Sequence, residues 1–397
     1  MNKIEKLIAE LCPDGVEYKK LGEVASLLRG RVISKEYIAE HSGIYPVYSS
    51  QTINNGEIGR IDTYDFDGEY VTWTTDGANA GTVFYRNGKF SITNVCGLIK
   101  LNNVRELNYK FLYYWLTTEA KNHVYSGMGN PKLMSNQASK IPIPIPPLSI
   151  QEEIVRILDT FTELEAELEA ELEARKKQYE YYRNKLLTPT EHKGLWYLNG
   201  KEVEWKRIKE ICKNITSGGT PLTSKPEYYK GTIPWLRTQE INWKDLYDTK
   251  IKITEEGLKN SSAKIIPPNC VIVAMYGATA GKVAINKIPL STNQACCNLE
   301  IEENQAYYKY VFYWLYNNYG NIKALGEGSQ SNINSGKIKN FPIPIPPLSE
   351  QERIVAILDK FDALVNDLTS GLPAEIEARR KQYEYYRNKL LTFKPKE

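Results

Sequence analysis

The sequence predicts an α+β protein in which one globular unit and one long helix are written twice. Two observations carry that prediction. The phrase IPIPIPPLS at 141–149 returns as FPIPIPPLS at 341–349, and ARKKQYEYYRNKLLT at 174–188 returns as ARRKQYEYYRNKLLT at 378–392. Shorter echoes lie upstream in the same order: VEYKKLGEV (16–24) with VEWKRIKEI (203–211), DGANAGTV (76–83) with YGATAGKV (276–283), and YKFLYYWL (109–116) with YKYVFYWL (308–315). Self-similarity of that length and order marks a duplicated unit.

Within each half the elements follow from local chemistry. DGVEY (14–18) reads as a turn entering a strand. The runs EYVTWTT (69–75), TVFYRNGKFSIT (82–93) and NCVIVAMYG (269–277) are rich in β-branched and aromatic residues and read as strands. Helices are expected within 108–125 and 306–319, where aromatic and aliphatic residues crowd at helical spacing. Each alternating Pro-Ile phrase is a stiff extended connector, because every proline ring pins φ and removes an N–H. Ser149 with Glu152, and Ser349 with Glu352, then have the spacing of capping boxes. One apolar stripe follows in each helix: Ile154, Ile157, Leu158, Phe161, Leu164, Leu168 and Leu172 in the first, Ile354, Ile357, Leu358, Phe361, Leu364 and Leu368 in the second. The first helix carries the tandem run LEAELEAELEAR (164–175); the second contains Gly371 and Pro373, so a break is expected there.

Between the shared landmarks the halves diverge. The stretch 45–75 has no evident counterpart in 217–250, which suggests one scaffold carrying two different reading surfaces. Composition narrows the chemistry. With 51 Lys and Arg against 48 Asp and Glu the net charge is only +3, which selects no partner. The 28 tyrosines exceed the needs of a core and suit a surface that touches nucleic acid or protein. No apolar window is long enough to span a membrane and no secretory signal is visible, so a soluble cytoplasmic protein is expected. The six cysteines lack C-x-x-C spacing and only three histidines accompany them, which argues against zinc or a disulfide framework.

Catalytic motifs do not emerge. GATAGKV (277–283) has three residues between its glycines and Val283 after the lysine, where a phosphate-binding loop needs four and a Ser or Thr, so it reads as a glycine turn. The acidic residues of PDGVEYK (13–19) are too close in sequence to flank a metal from two strands. An adenine methyltransferase's cofactor loop and its Asn/Asp-Pro-Pro-aromatic motif are missing, and three scattered histidines form no triad.

What the divergent segments do carry is base-reading chemistry. Arg and Lys bond the guanine edge, Asn and Gln the adenine edge, while Ser and Thr hold phosphates. The candidates are Arg29, Arg31, Ser50, Gln51, Asn54, Asn79, Lys132 and Gln137 in the first half, and Ser217, Thr220, Lys225, Arg237, Thr238, Gln239, Lys282 and Asn332 in the second, with Gln330 beside the last.

The order of variable region, PIPPLSxQExI, long helix ending in KQYEYYRNKLL, second variable region and second copy resembles the specificity subunit of type I restriction–modification systems, over the whole chain. IPWLRTQEI (233–241) is also similar to a phrase of such recognition domains and favours Arg237, Thr238 and Gln239 as contacts. The resemblance implies two globular target recognition domains related by an internal repeat, at 1–145 and 189–345, separated by two long antiparallel helices at 146–188 and 346–397. It implies that each domain reads half of a split sequence in double-stranded DNA and that two methyltransferase subunits dock on the helices. Restriction subunits would complete the complex. This chain would be a non-catalytic subunit binding no cofactor, with S-adenosylmethionine, ATP and Mg on its partners. A stand-alone duplicated DNA-binding regulator is the competing expectation.

Overall fold

The computed structural model describes residues 3–127, 129–326 and 332–396. The chain forms two compact units, one from Met1–Glu169 with Glu375–Glu397, the other from Ala170–Ala374. Each contains sheet, a short helix against it, and segments of both long helices.

In the first unit a six-stranded sheet runs in the order Ala25–Arg29, Cys96–Leu101, Phe66–Thr74, Val83–Ile92, Ser42–Tyr48, Glu57–Ile61. All neighbours are antiparallel except Val83–Ile92 with Ser42–Tyr48. In the second unit the matching strands are Cys212–Ser217, Cys296–Ile301, Val271–Ala274 and Val283–Asn286, followed by the parallel pair Leu290–Thr292 and Ile233–Leu236. The expected strands and the helices Tyr109–Glu119 and Tyr308–Asn317 are therefore present.

This pairing corrects one expectation. Val47 pairs with Ser91 and Tyr48 with Ile92 in parallel, as Trp235 pairs with Ser291 and Leu236 with Thr292. YPVYSSQTIN (45–54) is thus the counterpart of IPWLRTQEIN (233–242), with Pro46, Gln51, Ile53 and Asn54 matching Pro234, Gln239, Ile241 and Asn242. Only four of ten positions are identical, and the intervening insertions hid the match.

The repeated phrases have specific jobs. Trp115 Nε1 donates to the Pro142 carbonyl at 2.9 Å, and Trp314 Nε1 to Pro342 at the same distance, so an indole grips each Pro-Ile connector. The connectors run as short strands, Pro142–Pro144 against Tyr18–Lys20 and Pro342–Ile345 against Glu204–Arg207, in two-stranded ladders where the missing proline N–H is tolerated. Gln151 and Gln351 are fully buried. Gln151 accepts from the Asn108 N–H at 2.8 Å and donates to the carbonyls of Glu106 and Pro146; Gln351 accepts from the Tyr307 N–H at 2.8 Å and donates to Pro346. One amide therefore satisfies the start of the short helix and the end of the connector together. Replacing Gln351 by Ala strands these buried groups and is expected to lower stability by about 2–4 kcal/mol in urea unfolding; an unchanged midpoint would refute that role.

The two expected capping boxes do not form. The helices begin at Leu148 and Leu348, and the carbonyls of Pro147 and Pro347 accept the first-turn N–H groups of Ile150 and Glu350, so Ser149 and Ser349 sit inside the first turn. The proline takes the cap position and the helix starts two residues early, so the serine is no longer the capping residue.

The first long helix, Leu148–Leu187, runs unbroken for 40 residues, about 60 Å. The second is interrupted as expected: Leu348–Asn366, then Leu372–Leu390. In the first unit Lys110 Nζ and Tyr114 Oη both bond the Asp159 carboxylate, at 2.6 and 2.7 Å, and in the second Lys309 and Tyr313 bond Asp359 at the same distances. Helical segments then pack antiparallel within each unit. Phe161 stacks on Tyr386 and Arg380 bridges Glu165 and Glu169 in the first; Phe361 stacks on Tyr179 and Tyr182 in the second.

The packing also exchanges ends between repeats. Leu390, Leu391 and Phe393 of the second repeat belong to the first unit's core, whereas Tyr179, Leu186 and Leu187 of the first repeat belong to the second unit's core. Some of the 28 tyrosines serve the core: Tyr114, Tyr179, Tyr310 and Tyr313 are buried, and burial pushes each phenol above its ordinary pKa. Among the described residues no helix is long and apolar enough to cross a membrane.

Candidate nucleic-acid interface

Three backbone hydrogen bonds gather the divergent loops at one end of each sheet. In the first unit the N–H of Thr93 donates to Tyr48, that of Thr75 to Val95, and that of Leu133 to Thr75. In the second the N–H of Asn293 donates to Leu236, that of Met275 to Ala295, and that of Ile333 to Met275. The same three junctions join the same four loops in each unit. The glycine turns beside them are true turns: Gly77, Gly81, Gly277 and Gly281 all have φ between +80° and +85°, a region open to glycine at little strain.

The first-half candidates lie along this end. Arg29 closes strand Ala25–Arg29 and donates to the Asn94 carbonyl at 2.8 Å. Arg31 is exposed, ion-paired to Asp65 at 3.1 Å and placed over the Tyr37 ring. Ser50, Gln51 and Asn54 occupy the loop after Ser42–Tyr48, with Gln51 Nε2 donating to the Glu57 carbonyl at 2.7 Å. Asn79 sits half-buried in the glycine turn, and Lys132 bridges backbone to Asp76 with its exposed ammonium 4.0 Å from that carboxylate. Gln137 is committed locally, its Oε1 accepting from the Met134 N–H at 2.9 Å to cap the helix Ser135–Ala138.

In the second half, Ser217 ends its strand and Thr220 donates to Gln294 Oε1, while Trp235 Nε1 holds the intervening Gly219 carbonyl at 3.0 Å. Lys225 is exposed; a hydrogen bond from its ammonium to the Tyr228 hydroxyl at 3.1 Å raises its pKa. Arg237 is half-buried with Nε lacking a partner among the described residues. Thr238 is buried, and its carbonyl accepts from Thr279 at 2.8 Å, so its role is to tie two loops. Gln239 is exposed beside it, and Lys282 donates to Asn242 at 2.7 Å, so the lysine of the false phosphate loop belongs to this surface. Asn332 is exposed next to the Ile333 junction; Gln330 lies outside the described residues.

Sequence reasoning missed Arg86 and Trp243. Arg86 is 3% exposed, stacked over Tyr48 at 3.6 Å and Phe84 at 4.5 Å, and burial pushes its pKa below the usual guanidinium value. It donates to the Asn55 carbonyl at 2.8 Å. Trp243 has φ +58°, which a bulky residue adopts rarely, and stacks on Tyr316 at 4.2 Å, with the Arg183 guanidinium over the same Tyr316 ring at 4.0 Å. Arg86 lay inside a run already read as strand, where alternation alone points an arginine outward or inward with equal ease. Six free cysteines fill core positions or lie partly buried, and no group of metal-ligating residues occurs among the described residues.

Comparison with known proteins gives a consistent set of likenesses. The model of the type I restriction modification DNA specificity domain matches twice, at 13–174 and 200–378. A putative type I specificity subunit of Mycoplasma pneumoniae is 34% identical over 372 residues, covering 94% of this chain and 96% of that protein. The EcoR124I/EcoR124II specificity subunit of Escherichia coli is 41% identical over 296 residues, covering 72% and 70%. The crystal structure of a type I S subunit from M. genitalium superposes with a TM-score of 0.57 at 16% identity, covering 95% of each chain, which is a likeness of fold.

Proposed function

The chain belongs to the type I restriction modification DNA specificity family, and from that premise we propose that each unit reads one half of a split target in double-stranded DNA. The observation that supports it is the pair of identical loop junctions, which bring different polar and basic side chains to the same end of each unit. Shared backbone with different side chains is what two half-sites of different sequence require, because phosphate contacts set the register and base-edge contacts set the sequence.

In this reading Arg237, Gln239, Lys282 and Asn332 act in the second unit, and Arg29, Arg31, Gln51, Asn54 and Lys132 in the first. Two methyltransferase subunits dock on the duplicated long helices, one per repeat, since equivalent surfaces accept equivalent partners. They bring S-adenosylmethionine, and restriction subunits add ATP- and Mg-dependent cleavage, all in the cytoplasm. The chain itself reads and does not catalyse.

The test is direct. Purified alone, the chain is expected to transfer no methyl group to DNA; mixed with the methyltransferase subunits of its own system it is expected to form a complex with two of them and methylate a bipartite sequence. S-adenosylmethionine-dependent methylation by the isolated chain would overturn the assignment.

A further inference from the structure

Ile53 and Ile241 occupy the same place in the two matching phrases, yet their surroundings are opposite. Ile241 is fully buried among Leu236, Ala274, Ala284 and Cys296. Ile53 is 80% exposed. The matching strands differ as well. Phe84 pairs across from Thr72 as Ala284 pairs across from Ile272, so Phe84 and Arg86 stand where the second unit has Ala284 and Asn286. In the first unit Arg86 stacks over Tyr48 and Phe84, where the second unit has Leu236 and the small Ala284. Ile53, unlike Ile241, is turned out to solvent.

Its loop is nevertheless fixed. Arg86 Nη2 donates to Asn55 at 2.8 Å, the Ser49 N–H to Gly56 at 3.0 Å, Gln51 Nε2 to Glu57 at 2.7 Å, and Thr93 Oγ1 to Ser49 Oγ at 2.8 Å. Asn54, Asn55 and Gly56 follow Ile53 with φ of +51°, +53° and +81°. Asn54 and Asn55, two consecutive non-glycine residues in the left-handed region, are held there where the surroundings over-determine them, and such strain gathers at functional sites. A lone exposed isoleucine is ordinary; one on a tip held by a buried arginine is not. The exposed side-chain amides of Asn54 and Asn55 make no hydrogen bond among the described residues.

An apolar branched side chain beside free amides matches one base pair in the major groove. Thymine presents its C5-methyl there, and adenine an N6 donor with an N7 acceptor. We propose that Ile53 is a specificity-determining contact of the first unit that packs on a thymine methyl, and that Arg86 is the positioning residue that holds it in place. This rests on the DNA-reading function proposed above.

The experiment uses the complex with the methyltransferase subunits and duplexes of the methylated target in which each thymine of one half-site is replaced in turn by deoxyuridine, removing only the methyl. At one thymine of the half read by the first unit, uracil is expected to weaken binding about four- to tenfold, the effect of losing one buried methyl-sized contact. In Ile53→Ala that ratio should fall to about one, with the ratios at all other thymines unchanged. Arg86→Met should lose the same ratio at the same position although Ile53 is present; if its only effect is a lower melting temperature, Arg86 is merely structural and the proposal fails for it. Equal uracil sensitivity in wild type and Ile53→Ala, or a first half-site without a T·A pair, overturns the inference while leaving DNA reading intact. Absence of sequence-specific binding by the wild-type complex overturns both.

Discussion

Exchanging residues 22–139 for the matching segment of a related specificity subunit is expected to replace one half of the methylated sequence completely and leave the other half untouched. The splice points are neighbours: the Gly22 N–H donates to the Ser139 carbonyl at 2.9 Å, and a Cβ on Gly22 would stand 3.0 Å from that of Ser139. The segment therefore leaves the scaffold and returns to it at one place, while the bond from Leu21 N–H to the Ile141 carbonyl and the ladder of Tyr18–Lys20 with Pro142–Pro144 remain on the recipient side. The incoming segment must supply the partners of Asp159, a lysine and a tyrosine spaced as Lys110 and Tyr114, and an N–H for Gln151. Sequencing methylated adenines in cells carrying the hybrid reads the result. A change in both halves would show that the units do not read independently.

Inserting one further LEAE between Glu171 and Leu172 is expected to lengthen the unread spacer of the target by about one base pair, with both half-sites preserved. Four helical residues advance about 6 Å and turn about 400°, leaving a net rotation of roughly 40°, close to the 34–36° of one B-DNA step. The run sits in an unbroken helix with Leu164, Leu168 and Leu172 all half-buried, so the insertion returns each leucine nearly to its original face. The insertion point lies beyond Glu165 and Glu169, which Arg380 bridges, and before Tyr179, which stacks on Phe361. The interruption at 367–371 gives the returning helix a non-helical segment that can re-pair without breaking helical hydrogen bonds. An active complex that methylates the original spacing would refute the idea.

Much of this was legible from residues alone because the sequence is a duplication. Phrases kept in both halves proved to be scaffold: the connector prolines gripped by Trp115 and Trp314, Gln151 and Gln351, and the Asp159 and Asp359 anchors. The helix break was readable from Gly371 and Pro373, and the structure gives the glycine its reason: a Cβ there would stand 2.5 Å from the Ala363 carbonyl oxygen. The capping boxes failed because spacing shows which side chains can cap a helix, whereas the preceding proline decides where the helix starts. The site was less legible. Gln51 and Gln239 could have been aligned through the shared prolines, but Arg86 could not be recognised, since its stack depends on Phe84 being large where its counterpart Ala284 is small.

The exchange of ends between the repeats sets an order on biosynthesis. The second unit needs only Ala170–Ala374, so every residue of its core has been translated before the chain is finished. The first unit, although its sheet emerges first, lacks Leu390, Leu391 and Phe393 until the second long helix, that of the second repeat, has been made, and the Lys394 carbonyl that receives the Val16 N–H comes later still. Its core therefore closes only once that segment of the second repeat has been made, with the apolar floor beneath Phe111 open to chaperones in the meantime. A chain stopped just before Leu390 thus injures the unit whose sheet is made first and spares the unit whose sheet is made second.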